Sequence, residues 1–210
     1  MRVRFADQVA ALLDAAVGSG ARHVTLLSAY GADRAPSVID LAAVEKLVAE
    51  LGVTHTILRP AWVMQNFTDE HLPLIGDTLI VPSGGGAEAF VDADDIAAVA
   101  VRTLLEPAAH DGARYRLTGP STLTFKEVAG IVAEVSGRPV TYVDVDQQAW
   151  IDGAVAAGVP ADYAVMLQWL TGTIINGDGA RPTGDVERVL GRPATDFATF
   201  ARRNATAWTH

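Results

Sequence analysis

The sequence predicts an α/β fold built on a doubly wound parallel sheet. Two short apolar runs rich in strand-forming residues occupy positions 23–29 and 55–59. Uninterrupted runs of this kind are typical of parallel strands that are buried on both faces. Each run follows a segment with apolar residues at helical spacing, over 5–18 and 38–51, and glycines follow both segments. This alternation of helix and strand is typical of α/β proteins.

The remaining elements are predicted from periodicity and from residues that cap helices. Asp92 or Asp95 is expected to cap one helix, and Thr124 to cap another in a capping box with Glu127. We expect further strands at 78–81, 89–92, 115–118 and 139–145, helices over 94–105, 125–136 and 195–208, a helical stretch over 147–170 broken at 158–160, and a glycine-rich loop over 171–184. We expect the main sheet to contain 23–29, 55–59 and 115–118, with helices 5–18, 38–51, 94–105 and 125–136 covering its faces.

Composition and charge exclude several classes of function. The chain of 210 residues fits one domain with a small appendage, and half of its residues are hydrophobic. It contains no cysteine, which excludes disulfides, thiolate nucleophiles and cysteine-ligated metals and suits a reducing compartment. The net charge of −9 disfavours nucleic acid and anionic membrane surfaces as partners. No signal peptide or membrane-spanning run is found, so we expect a cytoplasmic protein.

Motifs for metals, phosphates and ester hydrolysis are weak or absent. The five histidines show no metal-ligand spacing, and the acidic run at 92–95 is interpreted as a helix cap. One G-x-G-x-x-[GA] match, at 84–89, follows a predicted strand but continues into another strand instead of a helix. We therefore interpret it as a hairpin or substrate-side loop. No P-loop and no G-x-S-x-G sequence is present.

Several segments together resemble one family of proteins. They are residues 28–33 after the first strand, 56–62 across the second, Asn66 and Phe67, 90–97, 115–120, and 185–193 before the last helix. Their order and spacing resemble the NmrA-like, atypical short-chain dehydrogenase/reductases, and in particular the NAD(P)H:quinone oxidoreductases of type 2. The resemblance implies that residues 1–120 form the C-terminal part of a Rossmann-like NAD(P)-binding domain. Residues 121–210 would form a small α/β substrate lobe, partly interleaved with it.

The same resemblance implies an activity and a cofactor. The expected function is hydride transfer from NADPH or NADH to a quinone-like or other small conjugated carbonyl substrate. It also implies an N-terminally incomplete sheet, with the glycine-rich phosphate turn upstream of Met1. Two alternatives remain open: a non-catalytic redox sensor that binds NAD(P), and a truncated chain that binds no cofactor of its own. Oxidation of NADPH by a panel of quinones separates an enzyme from a sensor.

Short-chain dehydrogenases commonly place a serine at this strand end and a Tyr-x-x-x-Lys pair on the next helix. Ser28 occupies the serine position and Lys46 the lysine position, whereas Ala42 stands where the tyrosine belongs. The resemblance therefore implies that the general acid is lost from its usual place. Tyr30, just past the strand, is a candidate substitute.

Each of these candidates also has a structural interpretation. Tyr30 is alternatively a partly exposed aromatic residue of a loop. Lys46 is alternatively a solvated charge of a helix, paired with Glu45 or Glu50.

Open α/β sheets bind ligands beyond the carboxyl ends of their strands. By resemblance, the cofactor-binding residues are Ser28, Ala29, Lys46, Pro60, Ala61 and Trp62, and the substrate-binding residues are Trp62, Asn66, Phe67 and Gly85. Trp62 and Phe67 are alternatively core residues between two lobes. Trp150, Tyr163 and Trp169 are expected in the core of the C-terminal lobe, with one of them facing the cleft.

The strand predicted at 23–29 leads us to expect that the chain associates with itself. In the doubly wound order its outer neighbours would be strands that this sequence does not encode. It contains neither lysine nor proline, the residues that commonly protect an exposed edge. We therefore expect a homo-oligomer, or self-association through this edge of the sheet.

Overall fold

The computed structural model describes residues 4–68, 72 and 74–208. Two histidines of the metal-spacing analysis, His71 and His210, lie outside the described residues. Three parallel strands form the main sheet in the order β1-β2-β5: β1 (His23–Leu27), β2 (Thr54–Pro60) and β5 (Ala113–Leu117). The predicted parallel sheet is thus confirmed, with β1 at one edge.

Helices cover both faces of this sheet. Ile57 and Leu58 are adjacent in β2 and therefore point to opposite faces, and both are buried. Helices α2 (Leu41–Ala49) and α3 (Ala93–Leu105) contact β1 and β2, and the short α7 (Asp185–Leu190) contacts β5. Helix α1 (Ala6–Gly18), which was also expected on the sheet, packs on α2.

A second group of elements surrounds an aromatic core. It contains two small sheets, β3 (Thr78–Ile80) parallel to β7 (Thr141–Val143), and β4 (Ala87–Glu88) antiparallel to β6 (Leu123–Thr124). Helices α4 (Phe125–Ser136) and α8 (Phe197–Arg203) pack around them. The core contains five phenylalanines together with aliphatic residues and Trp208: Phe67, Phe90, Phe125, Phe197 and Phe200.

The helix over 125–136 is therefore placed differently from the expectation. The prediction that it covers the main sheet was wrong, because its buried residues Phe125, Val128 and Val132 belong to the aromatic core. Its predicted capping box is confirmed: the Thr124 hydroxyl accepts from the Glu127 backbone, and the Glu127 carboxylate accepts from the Thr124 backbone.

Other boundaries differ in the second half of the chain. The helical stretch after 147 divides, as expected, into α5 (Gln147–Ala156) and α6 (Ala161–Ile175). Helix α6 extends into the predicted loop at 171–184 because Ile174 is buried and the Thr171 hydroxyl bonds back to Leu167. The strand expected at 89–92 is not formed. Strand β4 (Ala87–Glu88) ends just before it, and Val91 makes an isolated bridge to Val63. Within the described residues, no helix is long and apolar enough to cross a membrane.

Candidate functional site

A cavity of about 510 Å³ lies beyond the carboxyl ends of β1 and β2. Backbone pairing continues past both strands, since the Tyr30 amide donates to the Pro60 carbonyl at 2.8 Å. The Ala61 amide likewise donates to the Leu117 carbonyl at 2.9 Å. The first bond holds residues 28–30 beside residues 60–62 in the wall of the cavity, and the second joins the end of β2 to the end of β5.

Helices α5 and α6 form the opposite wall. The Gln147 side-chain amide joins the two helices by donating to the Gln168 carbonyl at 2.8 Å and the Thr171 hydroxyl at 2.7 Å. Most of the residues that α5 and α6 contribute are apolar or aromatic: Trp150, Ala154, Tyr163, Met166, Leu167 and Leu170. Large apolar walls with few polar groups are typical of sites for small organic ligands.

Seven of the predicted site residues line this cavity together. They are Ser28, Ala29, Tyr30, Pro60, Ala61, Trp62 and Asn66. Trp62 also meets Phe125 edge to face, with ring centroids 6.2 Å apart, so it belongs to both the cavity and the aromatic core. Trp150 and Tyr163 face the cavity, whereas only one aromatic residue of this lobe was expected to do so. The roles assigned to these residues stay predictions.

Lys46 is not brought to the cavity. Helix α2 buries Val44, Glu45 and Val48, so the face that carries Lys46 points to solvent. The Lys46 ammonium lies 3.8 Å from Glu50, and its side chain is 75% exposed. This is the surface pair that the sequence left open as the alternative. The geometry gives no support to the cofactor or catalytic role assigned to Lys46.

Phe67 and Gly85 are also outside the cavity lining. Phe67 is 4% exposed in the aromatic core, and its carbonyl accepts from the Trp208 indole at 2.9 Å. Gly85 lies in an exposed loop with open space around it. In that loop Gly86 is the constrained glycine, because a Cβ there would stand 2.2 Å from the Ile174 carbonyl oxygen. The loop leads into β4 and packs on the end of α6.

Ser28 belongs to a polar network beside the cavity. Its hydroxyl donates to Glu45 at 2.6 Å, and Arg59 donates to the same carboxylate through Nε at 2.9 Å and Nη2 at 2.5 Å. Arg59 also donates to Asp33 at 3.2 Å. The hydrogen bond to Glu45 raises the pKa of Arg59 above its usual value. With its proton directed at Glu45, the Ser28 hydroxyl is left to accept a hydrogen bond from a ligand.

Glu88 is the functional candidate that the sequence analysis missed. It lies in β4, is 2% exposed, and lines the cavity. Both of its carboxyl oxygens accept from the Ala180 amide at 3.0 Å. Burial raises the pKa of Glu88 to about 8, against the lowering effect of the Ala180 and Ala89 amides. The available signal was a single acidic residue inside the apolar run 87–91, where a solvent-facing charge is not expected.

The segment opposite Glu88 is fixed by close backbone contact. The Ala89 amide donates to the Ala180 carbonyl at 3.0 Å, so residues 178–180 run beside β4. A Cβ at Gly179 would stand 2.5 Å from the Ala87 carbonyl oxygen, and glycine is therefore required for this approach. The Ala180 amide is thereby held against the Glu88 carboxyl.

The cavity residues fit one end of a nicotinamide cofactor. The paired strand ends at 28–30 and 60–62 offer backbone groups and a flat aromatic wall, which suit a nicotinamide ring. A pyrophosphate needs a glycine turn that leads into a helix N-terminus. In the described part of the chain, the G-x-G-x-x-[GA] segment leads into β4 instead of a helix. No cluster of His, Asp or Glu suited to a metal ion occurs there either.

These features are typical of one class of proteins. A parallel sheet with an apolar cavity at its strand ends, bounded on the opposite side by helices, is typical of α/β proteins that bind small ligands. The sequence model of the NmrA-like family matches residues 4–194. The chain therefore belongs to the NmrA-like family.

Individual relatives agree with this assignment. An NAD(P)H azoreductase of Xenophilus azovorans is 33% identical over 210 residues, covering 96% of this chain and 73% of the relative. An uncharacterized oxidoreductase of Bacillus subtilis, YesF, is 36% identical over 73% of this chain and 54% of the relative. The crystal structure of an Escherichia coli NADPH-dependent quinone oxidoreductase with NADPH superposes with a TM-score of 0.80, at 27% identity. That match covers 94% of this chain and 71% of the other. The chain thus spans about half to three quarters of the length of these relatives.

Proposed function

We propose that this chain is the substrate-binding part of an NAD(P)H-dependent oxidoreductase that reduces a quinone-like or other small conjugated carbonyl compound. The observation that carries the proposal is the apolar cavity at the ends of β1 and β2, in a chain of the NmrA-like family. Its volume of about 510 Å³ lies in the range of sites for small organic molecules. The relatives named as azoreductase and quinone oxidoreductase support this class of reaction.

The cavity residues have complementary roles in this proposal. Ser28, Ala29, Pro60 and Ala61 position the nicotinamide ring, which supplies a hydride when the cofactor is bound. Trp62, Asn66 and the aromatic residues of α5 and α6 hold a flat substrate and exclude water from it. The Glu45–Arg59 ion pair keeps the Ser28 hydroxyl in one orientation.

The test is oxidation of NADPH by a panel of quinones, with the chain supplied at high concentration and NADPH in the millimolar range. Quinone-dependent oxidation above the rate without protein supports the proposal. The alternative function is an NAD(P)-binding redox sensor. It is favoured by one observation, that Ala42 and Lys46 both lie on the exposed face of α2 and supply no Tyr–Lys pair to the cavity. Cofactor binding without turnover of any quinone would favour the sensor.

Cofactor affinity is a separate expectation for residues 1–210. Because the described residues present no glycine turn leading into a helix, the pyrophosphate has no backbone site of the usual kind. We therefore expect weak or undetectable binding of NADPH and NADH by calorimetry. Micromolar affinity would contradict this expectation and require a phosphate site among the residues present.

A further inference from the structure

The cavity contains one buried carboxyl group that is not paired with a cation. Within the described residues, the ion pairs of the structure involve other carboxylates, and Glu88 takes part in none of them. Its described hydrogen bonds are accepted from backbone amides. A buried carboxylate without a cationic partner is costly, so the neutral acid is the favoured form.

A neutral carboxyl group carries a proton that it can donate. The Ala180 amide occupies acceptor positions of Glu88, and no acceptor for the acid proton is found among the described hydrogen bonds of this residue. Burial raises the pKa of Glu88 to about 8, so this proton is present at neutral pH. The group therefore combines a proton, an exposure of only 2% and a place in the cavity wall.

Reduction of a carbonyl compound consumes a proton as well as a hydride, and an acid in the cavity wall can supply that proton. By resemblance, Ala42 stands where short-chain dehydrogenases commonly carry the tyrosine, and Ala42 lies on the exposed face of α2. We propose that Glu88 is the catalytic acid of this cavity, which donates a hydrogen bond and then a proton to the carbonyl oxygen of the substrate. The inference rests on the proposed oxidoreductase function, because it assigns the proton donor of that reaction.

The atoms and electrons of this step balance. The quinone accepts two electrons as a hydride, which the reduced nicotinamide supplies, and one proton, which leaves the Glu88 carboxyl oxygen. The O–H bond of Glu88 breaks and a new O–H bond forms on the substrate, giving the hydroquinone. Glu88 remains as a carboxylate, and the cost of burying that charge favours recovery of a proton from water.

A different role for the same carboxyl would be the recognition of an organic cation. A cation would lower the pKa of Glu88 on binding, and it would bind better as the pH rises. A carbonyl compound needs the protonated acid, so it would bind worse as the pH rises. The favoured state without ligand is the neutral acid, and the two roles predict opposite effects of pH.

Several other ionisable groups lie in the cavity wall or close to Glu88 in the chain or across β4 and β6. They are Tyr30, Arg34, Tyr163 and Asp178 in the cavity wall, Arg181 beside Ala180, and Lys126 and Glu127 after β6. Burial raises the pKa of Tyr163 above its usual value, and the hydrogen bonds with Thr124 lower the pKa of Glu127. All of these groups remain in the variant Glu88→Gln, so comparison of that variant with the unaltered chain separates their effect from that of Glu88.

The test measures binding of duroquinone to the full chain without cofactor. Quenching of tryptophan fluorescence reports binding, because Trp62 and Trp150 line the cavity. If only the protonated form of Glu88 binds the quinone, the affinity falls about tenfold between pH 7 and pH 9. Glu88→Gln keeps a side chain that donates hydrogen bonds, and its affinity should not change with pH. Glu134→Gln alters an exposed carboxyl on α4 that does not line the cavity, and it should behave as the unaltered chain does.

The outcomes separate this inference from the proposed function. Binding of duroquinone that is independent of pH in the unaltered chain overturns the role of Glu88 and leaves the substrate class intact. Binding of N-methylquinolinium that strengthens at pH 9, with no weakening of duroquinone, shows a site for cations and also overturns the inference. Absence of duroquinone binding at every pH overturns the substrate class and the inference together. The measurement on the unaltered chain stands even if Glu88→Gln does not fold.

Discussion

Glu88 should make the free energy of unfolding of this chain fall as the pH rises. The carboxyl keeps its proton up to about pH 8 in the folded chain, whereas an unfolded glutamate releases it near the ordinary value of 4.5. Between these values the unfolded state binds fewer protons, so stability is lost as the pH increases. The linkage relation gives a loss of roughly 3–4 kcal/mol between pH 5 and pH 8 for this single group.

Urea unfolding of the unaltered chain and of Glu88→Gln at pH 5 and pH 8 measures this quantity. The free energy of unfolding of the variant, relative to the unaltered chain, should increase by roughly 3–4 kcal/mol from the lower to the higher pH. Glutamine changes packing and hydrogen bonding equally at both values, so the difference isolates the titration. Glu134→Gln is the matched control and should show no such increase. Parallel pH profiles for Glu88→Gln and the unaltered chain would refute the neutral buried acid.

Two further predictions concern the surface of the molecule. Lys46→Ala should change the free energy of unfolding by no more than about 0.5 kcal/mol, because the ion pair with Glu50 is exposed. Urea unfolding measures this change. A larger loss of stability, or weaker binding of duroquinone, would restore Lys46 as a functional residue. We propose that the chain self-associates through the outer edge of β1, where Leu27 is 60% exposed. Light scattering over a concentration series should show a dimer that Leu27→Lys weakens, and a monomer at every concentration would contradict the proposal.

The sequence was sufficient to predict the elements whose residues are locally unambiguous. The two apolar runs at 23–29 and 55–59 form parallel strands, as runs of this composition commonly do. Burial on both faces was predicted for both runs and holds for the middle of β2, whereas β1 is half-buried at the sheet edge and its Leu27 is exposed. Thr124 and Glu127 predict a helix start through hydrogen bonds three residues apart, and no distant contact is needed to form them. Such signals are contained within a few positions.

The placement of helices and side chains was harder to predict, because it depends on contacts between residues that are distant in the sequence. The apolar face of α4 has the pattern of a helix that covers a sheet, yet its partners are Phe67, Phe90 and Phe197. Lys46 and Glu45 are neighbours in the chain, but a rotation of about 100° between successive helical residues sends one to solvent and the other to Arg59.

The place of Glu88 in the cavity could not be predicted from the sequence for the same reason. Its burial results from the approach of residues 178–180, which lie about ninety positions further along the chain. The isolated acidic residue in an apolar run marked an irregularity, but only the fold places it in the cavity wall.

Substitutions that block the cavity test whether it is the substrate site. Ala154 on α5 lines the cavity and is half-buried, whereas Ala156 on the same helix is exposed and does not line it. The decisive measurement is the rate of NADPH oxidation by duroquinone for the unaltered chain, Ala154→Phe and Ala156→Phe, at millimolar NADPH. We expect turnover by the unaltered chain and by Ala156→Phe. The rate should decrease about tenfold or more in Ala154→Phe, because the added ring occupies the substrate's space. Equal rates for the three proteins, or no quinone-dependent oxidation by any of them, would contradict it.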